Sequence, residues 1–459
     1  MKTFKTIIKW IGIVLGGLIL LVLVVRIILD IVFSIQLRDT LRDLKAQGVP
    51  LTAAEIAPPP VPDADNAALP IQEAMELMPK WTSTNSGALK SLTDFIETNQ
   101  IPGKVGTDIA GWTEAQREEG TELIQSEEVK DWYALLVQAA NRPRYNNNLD
   151  YSQGLGMMTP NLSNYRMMFR ILGVKTGFEA KSKNMDIALD TILIGLTINN
   201  KLNAEPTLIT QLVRIACDNL LIGTLERMAD AADLPSDEMR SLAAELSLRT
   251  NMTSWVKAME RERFEGMWTF DYISRASIKE ISIFTSQFEN TCAQYVGVPI
   301  IRSIIKKDEI IYLRLLSKVQ RSFELPYYQI ADVIKAAPIE QQIPRYAIIT
   351  RIILPSLEKV RETAARHQAE VEVCRVGLAL KLFKQQAGVY PDTLDALAPE
   401  FLKFIPVDPF TGKSLVYRKD GDGFLLYSLG PNLKDDGGKA RVPADYQSKD
   451  YDIVWKCGK

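Results

Sequence analysis

Residues 10–25 read WIGIVLGGLILLVLVV, sixteen consecutive positions without a charge. At about 1.5 Å per residue the run makes about 24 Å of helix. A bilayer core requires about 30 Å. The apolar pattern continues through Arg26, Ile27, Ile28 and Leu29, and an arginine at that edge can snorkel to the headgroups. Residues 10–29 therefore read as one transmembrane helix in contact with the lipid bilayer. Arg26 and Asp30 stand four apart and could pair along one helix face. Lys2, Lys5 and Lys9 precede the run and favour a cytoplasmic N-terminus, while Arg38, Arg42 and Lys45 follow at a distance and weaken that bias. A cleaved signal peptide is the competing reading. The run is longer than a typical h-region, no small-residue cleavage site follows it, and residues 31–46 continue as helix-compatible sequence. No later run approaches this length, so a single-pass protein is expected.

Composition limits what the rest can be. Of 459 residues, 46% are hydrophobic and 24% charged, which supports a large core. Lysine and arginine number 54 against 56 acids, a net charge of −2. That balance offers no argument for a nucleic-acid partner, and none is expected. His367 is the one histidine, which excludes a His-rich metal site and any catalytic design with two histidines. Cys217, Cys292, Cys374 and Cys457 form no C-x-x-C pair, against a zinc ribbon or thioredoxin-like site. Cys217, in a mostly apolar stretch, is expected to be a buried thiol. Pairing of Cys374 with Cys457 is open in an oxidising compartment.

Outward from the anchor the chain divides by pattern. Residues 1–9 form a short cytoplasmic end, 10–29 the anchor, and 30–62 a helical stalk followed by a stiff proline-rich linker, APPPVP at 57–62. Residues 63–340 form a helical ectodomain. Within it residues 162–173, 185–202, 208–229 and 236–248 carry apolar side chains at three- and four-residue spacing. Glu205-Pro206 and Leu234-Pro235 interrupt them. Such helices suggest an antiparallel array, without a fixed-period repeat. The fold class is therefore mainly α, with a smaller α+β unit at residues 341–459. There a long helix is expected over 356–386, stopped at Gly388. Short strands follow near 414–418 and 423–429, joined through Lys419-Asp-Gly421 as a hairpin.

In this last unit the sequence runs LALKLFKQQAGVYPDTLDALAP from Leu378, then FIPVDPFTGKSLVYRKDGDGFLLYSLGPN from Phe404, and ends DYDIVW. The order of these motifs resembles the C-terminal domain of the major pseudopilin of type II secretion systems. The matching points are Gly388-Val-Tyr-Pro391, Pro406-Val-Asp-Pro-Phe410, Tyr427-Ser-Leu-Gly430, Gly437-Gly438 and Asp450-Tyr-Asp-Ile453. Residues 348–355 also resemble the end of the pilin apolar segment. The resemblance implies a long helix, a small antiparallel sheet and a loop closed around a calcium ion. The ligands implied are Asn432, Asp436, Asp450 and Asp452, with the Leu429 carbonyl, which suits a hard cation that takes oxygen donors. Secretion or pilus-like proteins are the implied partners. Three features depart from the family: no pilin processing site occurs, residues 439–448 lengthen the loop, and Asn432 stands where Asp is usual. Lys434 and Lys439 favour a solvated loop without an ion. The first ~340 residues resemble, more loosely, envelope proteins of planctomycete-like bacteria, a likeness that implies no activity.

No P-loop, dinucleotide fingerprint, HExxH or G-x-S-x-G occurs. Glu260, Glu262 and Glu265 could serve a paired-carboxylate hydrolase. A solvated face laced with Arg261 and Arg263 is the preferred reading of that segment. His367 reads as a surface or packing residue, and Met167, Met168 and Trp268 as core. Asn161 and Asn251 head common glycosylation-type triplets. The expected function is a membrane-anchored extracytoplasmic structural or interaction protein of a bacterial inner membrane, with most of its mass periplasmic. An extracytoplasmic hydrolase with an acidic site formed only in the fold is the alternative, and a filament-forming pseudopilin the third reading.

Overall fold

One uninterrupted helix, α1 (Lys2–Ala46), carries the apolar run. In the computed structural model, which describes residues 2–78, 87–99, 109–156, 161–205, 207–275, 299–441 and 450–458, residues 10–25 of this helix are exposed. Trp10, Leu15, Leu20 and Ile28 are exposed. The helix is long and apolar enough to cross a membrane, a property a signal sequence shares. Its second half is not a free stalk. Phe33 and Leu44 are buried, and Leu37 and Leu41 pack into the same cluster as Leu44. Asp30 does not turn to Arg26 either. It pairs with Lys306 at 2.7 Å, because packing already holds that lysine beside it. The linker is also fastened. After the short helix α2 (Ala53–Ile56), the Asn146 side chain donates to the Pro59 carbonyl at 2.9 Å. Arg142 donates to the Asp63 carbonyl at 3.1 Å, and the Ala67 amide to the Arg144 carbonyl at 2.8 Å.

The body is mainly α. In order come α3 (Ala68–Leu77), α4 (Ala88–Thr98), α5 (Glu114–Gln125), α6 (Glu127–Asn141), α7 (Leu162–Lys181) and α8 (Met185–Lys201). Then follow α9 (Leu208–Ala231), α10 (Ser236–Ser247), α11 (Thr253–Arg275), α12 (Pro299–Ser322), α13 (Tyr327–Ala336), α14 (Ile339–Gln342) and α15 (Ile348–Ala387). These match the periodic segments of the sequence closely, since amphipathic spacing forces one face inward. Helix α9 is also apolar enough for a membrane, yet it buries Arg214 and Asp218 in the body and is a core helix. Cys292, Pro206 and residues 442–448 lie outside the described residues.

Helix α15 begins earlier than its sequence suggests. It starts at Ile348 and passes through Pro355, which was expected to precede it. Proline removes one internal hydrogen bond, so such a start needs support. Asp308 of α12 supplies it from outside. Its carboxylate accepts from the Ile349 amide at 2.9 Å, the Thr350 amide at 3.3 Å and the Thr350 hydroxyl at 2.5 Å. At the far end Gly388 adopts φ +79°, the left-handed conformation that ends a helix at little cost to glycine.

Three antiparallel strands follow, in the order β1 (Val416–Asp420), β2 (Gly423–Ser428), β3 (Ile453–Cys457). The hairpin closes on Gly421 and Asp422, one step later than expected, since Asp420 faces Gly423. Central strand β2 is wholly buried. β3 sets Trp455 opposite Leu426 and against α15, where a side chain at Gly377 would strike the Trp455 ring. The indole also donates to Asp230 of α9 at 3.0 Å. Packing thus runs across residue 340. One core joins α3 to α10 with the second half of α15 and the sheet. The other joins α1, α11, α12 and the first half of α15.

Candidate functional site

The ERERFE segment at Glu260 sits mid-way along α11, with α12 on one side and residues 145–151 on the other. It is not a solvated face. Arg261 and Arg263 are buried, and each is paired: Arg261 with Glu265 at 2.8 Å, Arg263 with Gln320. The alternation of charge suggested solvent, but neighbouring elements cover the segment, and the buried guanidiniums are met inside by Glu265 and Gln320. Glu262 is pushed up to about 8 by burial and by the neighbouring Glu265 charge.

Glu260 lines a cleft of about 510 Å³, bounded by the fastened linker (Pro50, Ile56, Pro58, Pro59) and by Tyr145, Tyr151, Lys201 and Glu205. That volume is within the usual range for small-molecule sites. Glu205 forms its floor and is only 4% exposed. One carboxylate oxygen accepts from the Asn147 amide at 2.6 Å. Among the described residues the other has no hydrogen-bond partner. Burial raises the Glu205 pKa, only partly offset by the Asn147 bonds, and burial raises Glu260 as well. The Tyr151 ring lies 4.5 Å below the Arg261 guanidinium. Two carboxyl groups with raised affinity for protons therefore share one concave surface. Glu262 and Glu265 are not among its lining residues.

A second polar cluster lies between the helices. Asp218 of α9 accepts from Arg249 at 3.0 Å and from Asn199 at 2.7 Å. Its other oxygen lies 3.1 Å from His367 Nε2 on α15. Asn199 also donates to the Arg214 carbonyl at 2.9 Å. His367 is thus buried, and both ring nitrogens face oxygen: Nδ1 lies 3.3 Å from Asn219 Oδ1 and 3.8 Å from Glu370. Only an imidazolium can donate to both sides. Burial pulls the His367 pKa down, but Asp218 and Glu370 outweigh it and the net shift is upward. Burial works against the Asp218 charge, yet Arg249 and His367 hold its pKa well below the usual carboxylate range. Sequence reading placed His367 without a partner, because Asp218 belongs to another helix.

The loop expected to hold calcium is organised by other bonds. Asp452 accepts from the Gly438 amide at 2.8 Å and the Lys439 amide at 3.3 Å on one oxygen, and from the Asp436 amide at 3.5 Å on the other. Asn432 donates its amide to Asp436 at 2.8 Å. Leu429 is held through its own amide on Asp408 at 3.0 Å. Asp450 lies just before β3 and is exposed. Among the described residues no three acidic, histidine or cysteine side chains gather into a metal-binding group. These bonds occupy oxygens of Asp436 and Asp452 that the resemblance assigns to an ion. The carboxylate that sequence reading passed over is Asp408, which is buried and also accepts from Phe410 and Ser428. Its place in the Pro406–Phe410 motif was the available signal.

Cys217, Cys374 and Cys457 are free and buried, with Cys457 3.6 Å from the Tyr390 hydroxyl. Met167 and Met168 are core, and Trp268 is half-buried on Tyr272. Asn161 caps α7 through the amides of Ser163 and Asn164. No protein-family model, curated protein or solved structure matches the chain.

Two outcomes follow from this geometry. His367 has a raised pKa in the fold, so its contribution is complete below its unfolded value of about 6.5 and is lost as pH rises through the folded value. Melting of wild type and His367→Gln should therefore differ most at about pH 6, by on the order of 1–3 kcal/mol, and converge in mild alkali. A constant gap across that range would remove the imidazolium. Asp452→Ala should destabilise the chain by about 1–3 kcal/mol, the cost of stranding its amide donors. The loss should be equal with calcium and with chelator. A loss confined to calcium-containing buffer would instead assign the carboxylate to an ion.

Proposed function

We propose that this chain is a membrane-anchored structural or interaction protein, held in a bacterial inner membrane with its helical body on the periplasmic side. One observation carries the reading: the exposed apolar half of α1 continues without a break into a half that packs on the body. A signal sequence is released from the protein it leads. Here residues 30–46 contribute Phe33, Leu44 and the Asp30–Lys306 pair to the body, which supports a retained anchor. The motif order of residues 345–456 supports docking onto secretion or pilus-like machinery, by analogy of sequence pattern. Filament assembly is disfavoured, because the pilin-like helix starts at Ile348, about 300 residues after α1, and is not a continuation of the apolar helix.

The full chain should stay with membranes through an alkaline carbonate wash, with an intact mass that includes residues 1–29. A soluble form lacking about the first thirty residues would identify a signal sequence and end the anchor reading. Cross-linking in native membranes should recover an envelope partner of the secretion or pilus type, and recovery of none would end the docking.

A second reading, an acid-assisted hydrolase, is favoured by Glu205 and Glu260 lining one cleft. A carboxyl whose affinity for protons is raised by burial can act as a general acid. If so, Glu205→Gln should lower turnover of a screened glycoside or ester substrate by about 10²-fold or more. Melting should be unchanged. Equal turnover in variant and wild type would remove the cleft from catalysis.

A further inference from the structure

The start of α15 and the end of the anchor meet at one level. Residues 10–29 at about 1.5 Å each span about 30 Å, the thickness of a bilayer core. Headgroups add roughly 5–8 Å on each side. Phe33 lies four residues farther, about 6 Å, and so at headgroup depth. Lys307 sits between two rings there, 5.3 Å from the Phe33 centroid and 4.7 Å from that of Tyr346. This places the Tyr346 ring within about 10 Å of the Phe33 ring, and so near the same level.

The surface at that level has an unusual composition. Tyr346, Ile348 and Ile352 are 41%, 39% and 41% exposed. Ile348 and Ile352 are four apart in α15 and share a face. Ile31, Val32 and Ile35 of α1, just past the apolar run, are exposed as well. Arg345 and Arg351 are exposed between these apolar residues, and residues 341–356 contain no acid. Asp30 is paired with Lys306, Asp308 is buried under the start of α15, and Glu340 is the exposed acid that precedes the stretch in sequence. An aromatic ring, aliphatic side chains and arginines without acids are what a bilayer interface selects. The arginines add attraction to anionic headgroups.

We infer that residues 345–352 form a seat on the membrane surface, preferring anionic lipid, so that the body rests on the bilayer rather than hanging from it. The inference rests on the anchor reading. It is tested on the full chain in nanodiscs, with single cysteines introduced by Ile348→Cys or Val389→Cys and labelled with a membrane-impermeant maleimide. Val389 is 62% exposed and follows the far end of the same helix, about 60 Å away. In discs of phosphatidylglycerol and phosphatidylcholine, labelling at 348 should be at least about tenfold slower than at 389, and Arg345→Glu with Arg351→Glu should restore it. Equal rates at both positions in a chain that stays with the disc overturn the seat alone. Equal protection in pure phosphatidylcholine overturns the preference for anionic lipid. A chain that leaves the disc overturns the anchor and the seat together.

Discussion

One helix holds the two halves of this protein at a fixed distance. α15 runs for 40 residues, about 60 Å. Its first half carries Leu354, Leu357 and Val360 into the core that also holds α1. Its second half carries Ala369, Val373 and Leu380 into the core shared with the sheet. Most of the stability of a helix in a folded protein comes from tertiary packing, and α15 packs on both cores. It also contains a proline in its interior. The Asp308 cap is therefore central: one carboxylate on α12 satisfies the amides that α15 would otherwise leave open, and fixes where the helix starts relative to the anchor.

The Asp218 cluster solves a related problem at the middle of α15. Burying an aspartate, a histidine and two arginines costs several kcal/mol per ion unless each is paired. Asp218 answers Arg249, Asn199 and His367 at once, from α9, the residues after α10, α8 and α15. Replacing such a set by apolar groups can be neutral for stability. What apolar groups would not supply is register. A helix that slid by one turn on α9 would leave Asp218 and His367 both unpaired in the core. The cluster penalises every alternative seating of α15, and the same constraint aligns Trp455 with the gap at Gly377.

Local features were legible in the sequence and distant ones were not. The apolar run, the periodic helices, the Gly388 stop and the hairpin depend on residues within a few positions of each other. The Asp308 cap, the His367 pair and the burial of Arg261 and Arg263 depend on residues from other helices. Charge alternation at 260–265 looks the same whether water or a neighbouring helix lies outside it. The cleft was half legible: Glu260 stood out as one of three close carboxylates, while Glu205 looked like a residue before a proline. Its role depends on the linker folding back over it, held by the Asn146 bond to Pro59. Asp452 shows the converse. Its loop reads as an ion site by residue type, but backbone amides compete for the same oxygens, and residue type alone does not say which donor arrives.

These constraints change what an anchor can do here. A flexible tether would let the body tumble, and its surface charge would matter only on average. α1 passes from its exposed half to its packed half without a hinge, and the linker that could have provided one is bonded to residues 142–146. On the anchor reading proposed above, the orientation of the body is set by the helix that crosses the membrane. Any tilt of α1 in the bilayer is transmitted to α12 through Lys306 and Phe33, and to α15 through Asp308. The sheet, at the far end of α15, moves through the largest arc. At about 60 Å a tilt of ten degrees displaces it by about 10 Å, the width of one helix. A module held that way can be presented at a defined height above the membrane, which a tethered one cannot.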